Sequence, residues 1–116
     1  MTLADIAQRL GLEVRAGADH LDREVTGGYV SDLLSDVMAH SEAGDLWVTL
    51  QIHENTVAVA SLRELAGVIL VGGREPEEET VKRANAEGVP ILVTPLRSYE
   101  VVCGLIGAGV KGRAIP

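Results

Sequence analysis

The sequence has no phenylalanine, two tyrosines and one tryptophan, so aromatic residues make up only 3% of its 116 residues. The core must therefore be built from aliphatic residues, in a composition that is 47% hydrophobic. A single cysteine, Cys103, excludes an internal disulfide, and its apolar helical surroundings predict a buried and inert thiol. Length and composition predict one globular domain over residues 1–116.

Positive charge is also scarce, because ten Lys and Arg stand against 17 Asp and Glu, which gives a net charge of −7. Such a chain has no general attraction for nucleic acid or for an anionic membrane, and we expect neither as a partner. No apolar stretch approaches the roughly 20 residues of a membrane-spanning helix. The chain begins without the pattern of a secretion signal, so we expect a cytoplasmic protein.

Apolar residues recur at helical spacing over residues 3–10, where Thr2 and Asp5 can form a capping box and Gly11 can end the helix. Extended segments follow at 12–17 and 23–30. Another helix is predicted behind a Ser31 cap, with one apolar face made of Leu33, Leu34, Val37 and Met38.

The rest of the chain alternates between apolar strands and helices. Strands are predicted at 45–50, 67–71 and 90–94, and helices at 53–65, 75–88 and from 98 onward. A nearly all-aliphatic middle strand is typical of a parallel sheet covered on both faces. The predicted fold is therefore α/β, a three-layer-like domain with a mostly parallel sheet flanked by helices.

In a parallel sheet the loops that follow the strands emerge along one edge, where open α/β sheets bind their ligands. Free amides at helix N-termini favour an anion there. The polar and glycine residues of these loops are candidate ligand-binding residues: Thr49, Gln51, His53, Asn55, Gly72, Gly73, Arg74 and Thr94. Two alternatives remain open: the glycines only turn the chain, and His53 is an ordinary surface histidine.

The segment TGGYVS adds Thr26, Gly27, Gly28 and Ser31, whose hydroxyls and amides can form a small anion-binding nest. The alternative is a glycine bulge that bends a strand, with Arg23 held by a nearby carboxylate. The acidic composition favours the bulge.

Other motifs fail in their context. The segment 107–112 matches G-x-G-x-x-G but follows a helix, so no dinucleotide site is predicted. The histidines lack the spacing of a metal site, and no acid, base and nucleophile converge. We therefore predict no catalytic residues, no metal and no cofactor.

Several segments, taken in order, resemble the DRTGG domain family in its small stand-alone form: LDREVTGGYVSDLLSDVM, GDLWVTLQIHENTVAVASL, LAGVILVGGREPEEET and GVPILVT. The namesake residues correspond to Asp22, Arg23, Thr26, Gly27 and Gly28, with two residues inserted after Arg23. The resemblance implies a helix-capped α/β fold, often dimeric. Related domains resemble the N-terminal domain of HPr kinase/phosphorylase and lie between the CBS halves of some pyrophosphatases.

The sequence thus predicts a non-catalytic regulatory or ligand-sensing module. Its expected ligand is a small anion such as a nucleotide, and it would act through a homodimer or a partner protein. The last helix and an exposed edge strand are the expected contacts. The alternative is a purely structural protein-interaction module without a small-molecule ligand.

Overall fold

A computed structural model of the protein describes residues 1–113. Within that range the elements are α1 (Leu3–Leu10), β1 (Glu13–Ala16), a 3-10 turn (Ala18–His20), β2 (Gly27–Val30), α2 (Leu34–His40), β3 (Asp45–Thr49), α3 (Asn55–Leu62), β4 (Gly67–Leu70), α4 (Glu78–Glu87), β5 (Ile91–Val93) and α5 (Ser98–Gly107). The strands form one sheet in the order β1-β5-β4-β3-β2, in which only β1 is antiparallel to its neighbour. The predicted mostly parallel α/β fold is confirmed.

The sheet separates two hydrophobic clusters. On one face α1 and α5 pack against Leu46, Val48 and Ile69, and on the other face α2, α3 and α4 pack around Trp47 and Val68. Each of the α2, α3 and α4 crossovers links neighbouring parallel strands, so these three helices share one face. In the described residues, one face of the sheet therefore carries three helices and the other carries two.

The N-terminal helix forms as predicted. Thr2 Oγ1 accepts the amide of Asp5 at 3.2 Å, and the Asp5 carboxylate accepts the amide of Thr2 at 3.1 Å, which completes a capping box. Gly11 ends α1 in the left-handed conformation, with φ of 67°. This start and stop are set by residues within one turn of the helix ends, so they can be predicted from sequence.

The start of α2 differs from the prediction. The helix begins at Leu34, its N-cap position is Leu33, and no side chain caps it. Ser31 lies outside the helix, where its Oγ accepts the amide of Leu33 at 3.2 Å. The predicted apolar face is also incomplete, because Val37 is buried but Leu33 is 64% exposed and Met38 is exposed.

Cys103 is exposed on α5, so the prediction of a buried thiol is wrong. In α5 the side chains of Val101 and Leu105 face the core instead. The helix is apolar nearly all round, and the sequence alone does not show which side packs. No helix within residues 1–113 combines the length and apolarity that crossing a membrane requires.

Candidate functional site

The residues predicted to bind a ligand lie at two opposite edges of the sheet. We call the edge where β2 to β5 begin the amino edge, and the edge where they end the carboxyl edge. Thr26 and Gly27 lie at the amino edge, and Gly28 lies within β2. The carboxyl edge carries the other candidates: Ser31, Thr49, Gln51, His53, Asn55, Gly72, Gly73, Arg74 and Thr94. The structure therefore does not bring the two groups together.

At the amino edge, the polar atoms of Thr26 are already engaged. Its amide donates to the carbonyl of Gly44 at 3.0 Å, and its hydroxyl donates to the carbonyl of Ala43 at 3.4 Å. These bonds hold the segment that leads into β3, so Thr26 connects two neighbouring strand starts.

Arg23 forms hydrogen bonds with the segments that lead into the next two strands, β4 and β5. Its guanidinium donates to the carbonyl of Gly88 at 2.7 Å and to the carbonyl of Leu65 at 3.4 Å. Leu65 precedes β4 and Gly88 precedes β5, so one side chain ties both approaches to the sheet. The expected carboxylate partner of Arg23 is therefore wrong, since backbone carbonyls accept its hydrogen bonds.

Gly27 and Gly28 form a regular strand rather than a bulge. They pair with Asp45 and Leu46 in a continuous parallel register, and neither residue has a positive φ. The predicted bulge is therefore wrong. A Cβ at Gly27 would lie 2.6 Å from Asp45 Oδ1, whereas one at Gly28 would meet the nearest atom at 3.7 Å. Gly27 is needed because a carboxylate occupies the space of its side chain.

Asp45 is the residue at this edge that sequence reasoning missed. Its carboxylate is 2% exposed, accepts the amide of Glu42 at 2.8 Å and forms an ion pair with Arg113. Arg113 also binds the Glu42 carboxylate at 2.7 Å, which raises the pKa of the guanidinium. A buried carboxylate requires such partners, but its charge partner Arg113 lies 68 residues further along the chain, too far for a sequence motif to reveal it.

A cavity of about 450 Å³ opens at the amino edge beside Arg23. Its lining includes the acidic residues Glu24, Glu64 and Glu87, and the guanidinium of Arg23 is turned to backbone carbonyls. These carboxylates would repel an anion, so the predicted kind of ligand does not suit this cavity.

At the carboxyl edge, Asp32 accepts hydrogen bonds from two of the predicted ligand-binding residues, Thr49 and Gln51. Its Oδ1 accepts the Thr49 hydroxyl at 2.9 Å and the Leu50 amide at 2.7 Å. Its carbonyl accepts the side-chain amide of Gln51 at 2.7 Å. Sequence reasoning did not assign this role to Asp32, which engages the hydroxyl of Thr49 and the side-chain amide of Gln51.

The amides of Gly72 and Gly73 are also engaged. Gly72 donates to the carbonyl of Leu96 at 2.8 Å, and Gly73 donates to the carbonyl of Thr94 at 3.0 Å. Both glycines have positive φ, 67° and 74°, so they turn the chain while joining the loops after β4 and β5. The alternative that these glycines turn the chain therefore agrees with their backbone conformation.

His53 and Asn55 form a local contact at the start of α3. The amide of Asn55 donates to His53 Nδ1 at 3.1 Å, and both residues are exposed. This hydrogen bond fixes a turn and leaves the other ring nitrogen of His53 facing away from the bonded amide.

Two arginines at the carboxyl edge lack a carboxylate partner within residues 1–113. Arg74 and Arg97 are exposed, and no carboxylate within residues 1–113 forms an ion pair with either of them. Arg97 occupies the N-cap position of α5, and its guanidinium lies beside Gly72 together with the side chain of Leu50. The two guanidinium groups therefore lie on neighbouring loops near the N-terminus of α5, which presents free amides and carries Glu100 in its first turn.

The nearest acidic group on the loop after β4 is compensated. Glu75 Oε1 accepts from Arg15 Nε at 2.7 Å, and this bond holds the pKa of Glu75 below its ordinary value. Arg74 therefore does not have to neutralise Glu75. In the described part of the chain, no cluster of three or more His, Cys, Asp or Glu side chains could hold a metal ion.

The geometry defines a small α/β domain with a braced amino edge and, at the carboxyl edge, two exposed arginines without a carboxylate partner within residues 1–113. The family model of the DRTGG domain matches residues 5–105, and the chain belongs to this family. Among solved structures, the chain is similar to the CBS and DRTGG domains of the regulatory region of Clostridium perfringens pyrophosphatase, complexed with the activator diadenosine tetraphosphate. The TM-score is 0.72 at 16% identity, over 90% of this chain and 46% of that one. No curated protein matches the chain.

Proposed function

We propose that the protein is a non-catalytic regulatory module that binds a small anionic ligand, such as a nucleotide, at the carboxyl edge. It acts through a homodimer or a partner protein. The observation that carries the proposal is the pair of exposed arginines, Arg74 and Arg97, without carboxylate partners in residues 1–113 of an acidic chain.

Three features of the carboxyl edge support an anionic ligand. The hydrogen bond from Gly72 to Leu96 keeps the two arginine-bearing loops together. The N-terminus of α5 directs its amides and the positive end of its dipole to the same place. The exposed side chains of Leu50 and Leu96 offer apolar contact of the kind a nucleobase can use.

The similar pyrophosphatase structure supports a regulatory role. There, a DRTGG domain belongs to a regulatory region that is complexed with a nucleotide activator. This chain spans about half of that structure, so the proposal concerns the module alone and not the activity of a larger protein.

The test is a thermal-shift measurement with ATP, diadenosine tetraphosphate and inorganic tripolyphosphate on the wild type and the R74Q/R97Q variant. A ligand present at a hundredfold excess over its Kd adds about 2.7 kcal/mol to the folded state. For a domain of this size we expect a rise in Tm on the order of 10 °C, which the double variant loses.

The matched control is R9Q, which removes an exposed arginine from α1. It should keep both the basal Tm and the ligand shift. Equal ligand shifts in all three proteins would contradict binding at this edge. Tripolyphosphate alone acting as well as the nucleotides would reduce the site to a phosphate site.

The second candidate is a purely structural interaction module. The observation in its favour is that the amides of Gly72 and Gly73 are already bonded, while Leu33, Leu50 and Leu96 are exposed. If no nucleotide or polyphosphate raises the Tm of the wild type, this second function replaces the first.

A further inference from the structure

A carboxylate lies at the carboxyl edge in addition to the two exposed arginines. Asp32 follows β2 and is exposed. Its Oδ1 accepts the Thr49 hydroxyl at 2.9 Å and the Leu50 amide at 2.7 Å. Its other oxygen, Oδ2, forms no hydrogen bond or ion pair within residues 1–113. Because two donors hold Oδ1, the carboxylate has a fixed orientation, and Oδ2 is open to an incoming donor.

The strand order places Asp32 and the arginines at opposite ends of this edge. The strands lie in the order β5-β4-β3-β2, and they are followed in turn by Arg97, Arg74, Leu50 and Asp32. Neighbouring strands are about 4.8 Å apart, so the edge from β5 to β2 is about 14 Å long. A ligand that contacts both ends must therefore be elongated, with an anionic group at one end and hydrogen-bond donors at the other.

Leu50 connects the two ends. A Cβ placed on Gly72 would lie 3.6 Å from Leu50 Cδ2 and 3.5 Å from Arg97 Nη1, so the leucine side chain and the guanidinium are near neighbours. The backbone amide of the same leucine donates to Asp32. One leucine, which is 37% exposed, thus adjoins both the arginine and the carboxylate.

We propose that Asp32 selects a ribonucleotide at the carboxyl edge. Its Oδ2 accepts the ribose hydroxyls of a ligand whose phosphates bind Arg74 and Arg97. The inference rests on the proposed function, which has an anionic ligand bind at this edge, and it specifies that ligand as a ribonucleoside polyphosphate.

The chemistry of a carboxylate suits this task. An ionised carboxylate only accepts hydrogen bonds, so it binds a hydroxyl group and repels a phosphate. Arginines alone would bind an inorganic polyphosphate as well as a nucleotide. In other α/β nucleotide-binding folds an acidic side chain accepts a ribose hydroxyl in the same way. Because Thr49 and Leu50 hold Asp32 before a ligand arrives, little side-chain freedom is lost on binding.

The alternative role of Asp32 is only to hold the loop after β3 through Oδ1. That role makes a different prediction, since a carboxylate that merely lies near the site repels every anionic ligand. Its removal would then tighten the binding of nucleotide and polyphosphate alike. Removal of a ribose acceptor instead weakens the binding of the nucleotide alone.

The experiment measures the Kd of ATP, dideoxy-ATP and inorganic tripolyphosphate by isothermal titration calorimetry, at concentrations up to the millimolar range. Dideoxy-ATP lacks both ribose hydroxyls and keeps the base and the phosphates. We expect the wild type to bind dideoxy-ATP roughly 10- to 100-fold more weakly than ATP, as for the loss of a hydrogen bond to a charged group. This comparison needs no variant, so it does not depend on the folding of a mutant.

The variant D32N keeps an oxygen that can accept from Thr49 and Leu50, but an amide group replaces Oδ2. We expect D32N to bind ATP and dideoxy-ATP equally, and to bind tripolyphosphate no more weakly than the wild type. The matched control is E100Q, which removes an exposed carboxylate from the first turn of α5. It should tighten the binding of all three ligands and keep the preference for ATP.

Two results would overturn the role of Asp32 and leave the proposed function intact. One is equal affinity of the wild type for ATP and dideoxy-ATP, with the binding of both lost in R74Q/R97Q. The other is a preference for ATP that survives in D32N. A wild type that binds none of the three ligands would overturn both the role of Asp32 and the proposed function.

Discussion

The two edges of the sheet differ in what their polar groups do. At the amino edge Arg23, Thr26 and Asp45 are all engaged with neighbouring segments of the same chain. At the carboxyl edge Asp32 and the loop carbonyls engage many donors, yet Arg74 and Arg97 remain without carboxylate partners in residues 1–113. Arg23 and Thr26, which correspond to two of the residues that give the family its name, thus brace the fold, and the two arginines without carboxylate partners lie at the opposite edge.

The largest effect that the comparison predicts is at Gly27. In Gly27→Ala the new methyl group collides with the buried Asp45 carboxylate, which Glu42 and Arg113 hold in place. We expect a loss of about 2 kcal/mol in the free energy of unfolding, typical of overpacking. Urea unfolding measures it.

Gly28→Ala is the control, because its Cβ has only an ordinary contact with Leu46. Its change should stay within about 0.5 kcal/mol. If both alanine variants unfolded at the same urea concentration, the close approach at Gly27 would not be what requires glycine there.

A smaller loss is expected from Arg23→Met, which keeps the aliphatic stem and removes the guanidinium. The carbonyls of Leu65 and Gly88 lose their donor, which should cost about 1–2 kcal/mol. The same urea series measures this loss. Arg9→Met, at an exposed position in the last turn of α1, should be nearly neutral, and equal losses in the two variants would contradict a brace at the amino edge.

The smallest predicted effect is on the pH dependence of stability. It comes from Asp36, in the first turn of α2 near the carboxyl edge. The hydroxyls of Ser31 and Tyr29 lower the pKa of Asp36 from its ordinary value of 3.8. A carboxylate whose pKa falls on folding stabilises the protein above its unfolded pKa, and this contribution is lost as the pH falls through the folded pKa.

The Tm of the wild type should therefore decline more steeply than that of Asp36→Asn below about pH 4. Thermal unfolding at neutral and acidic pH measures the difference. Asp22→Asn, at an exposed site on the amino side, should follow the wild type. If the Tm of all three proteins declined in parallel, Asp36 would not contribute to the pH dependence of stability.

Local features of the fold could be predicted from sequence. The capping box of Thr2 and Asp5 and the aliphatic run of β4 are complete within a few residues, so composition and spacing reveal them. The start of α2 could not, because Ser31 bonds within its own turn and does not reach the helix amides.

The site was harder to predict, since its contacts connect distant segments. Arg23 reaches carbonyls 42 and 65 residues further along the chain. The reason for glycine at position 27 is a carboxylate 18 residues later, and the exposure of Cys103 depends on which side of an apolar helix meets the sheet. The structure also places Thr26 and Gly27 at the amino edge, away from the candidate residues of the loops at the carboxyl edge.

The single tryptophan, Trp47, allows the unfolding of these variants to be measured by fluorescence. Trp47 is fully buried, and its Nε1 donates to the carbonyl of Ser31 at 2.8 Å. The intrinsic fluorescence of the protein therefore reports on one place, the junction of β2 and β3. Emission from this one indole can therefore follow unfolding without any attached label.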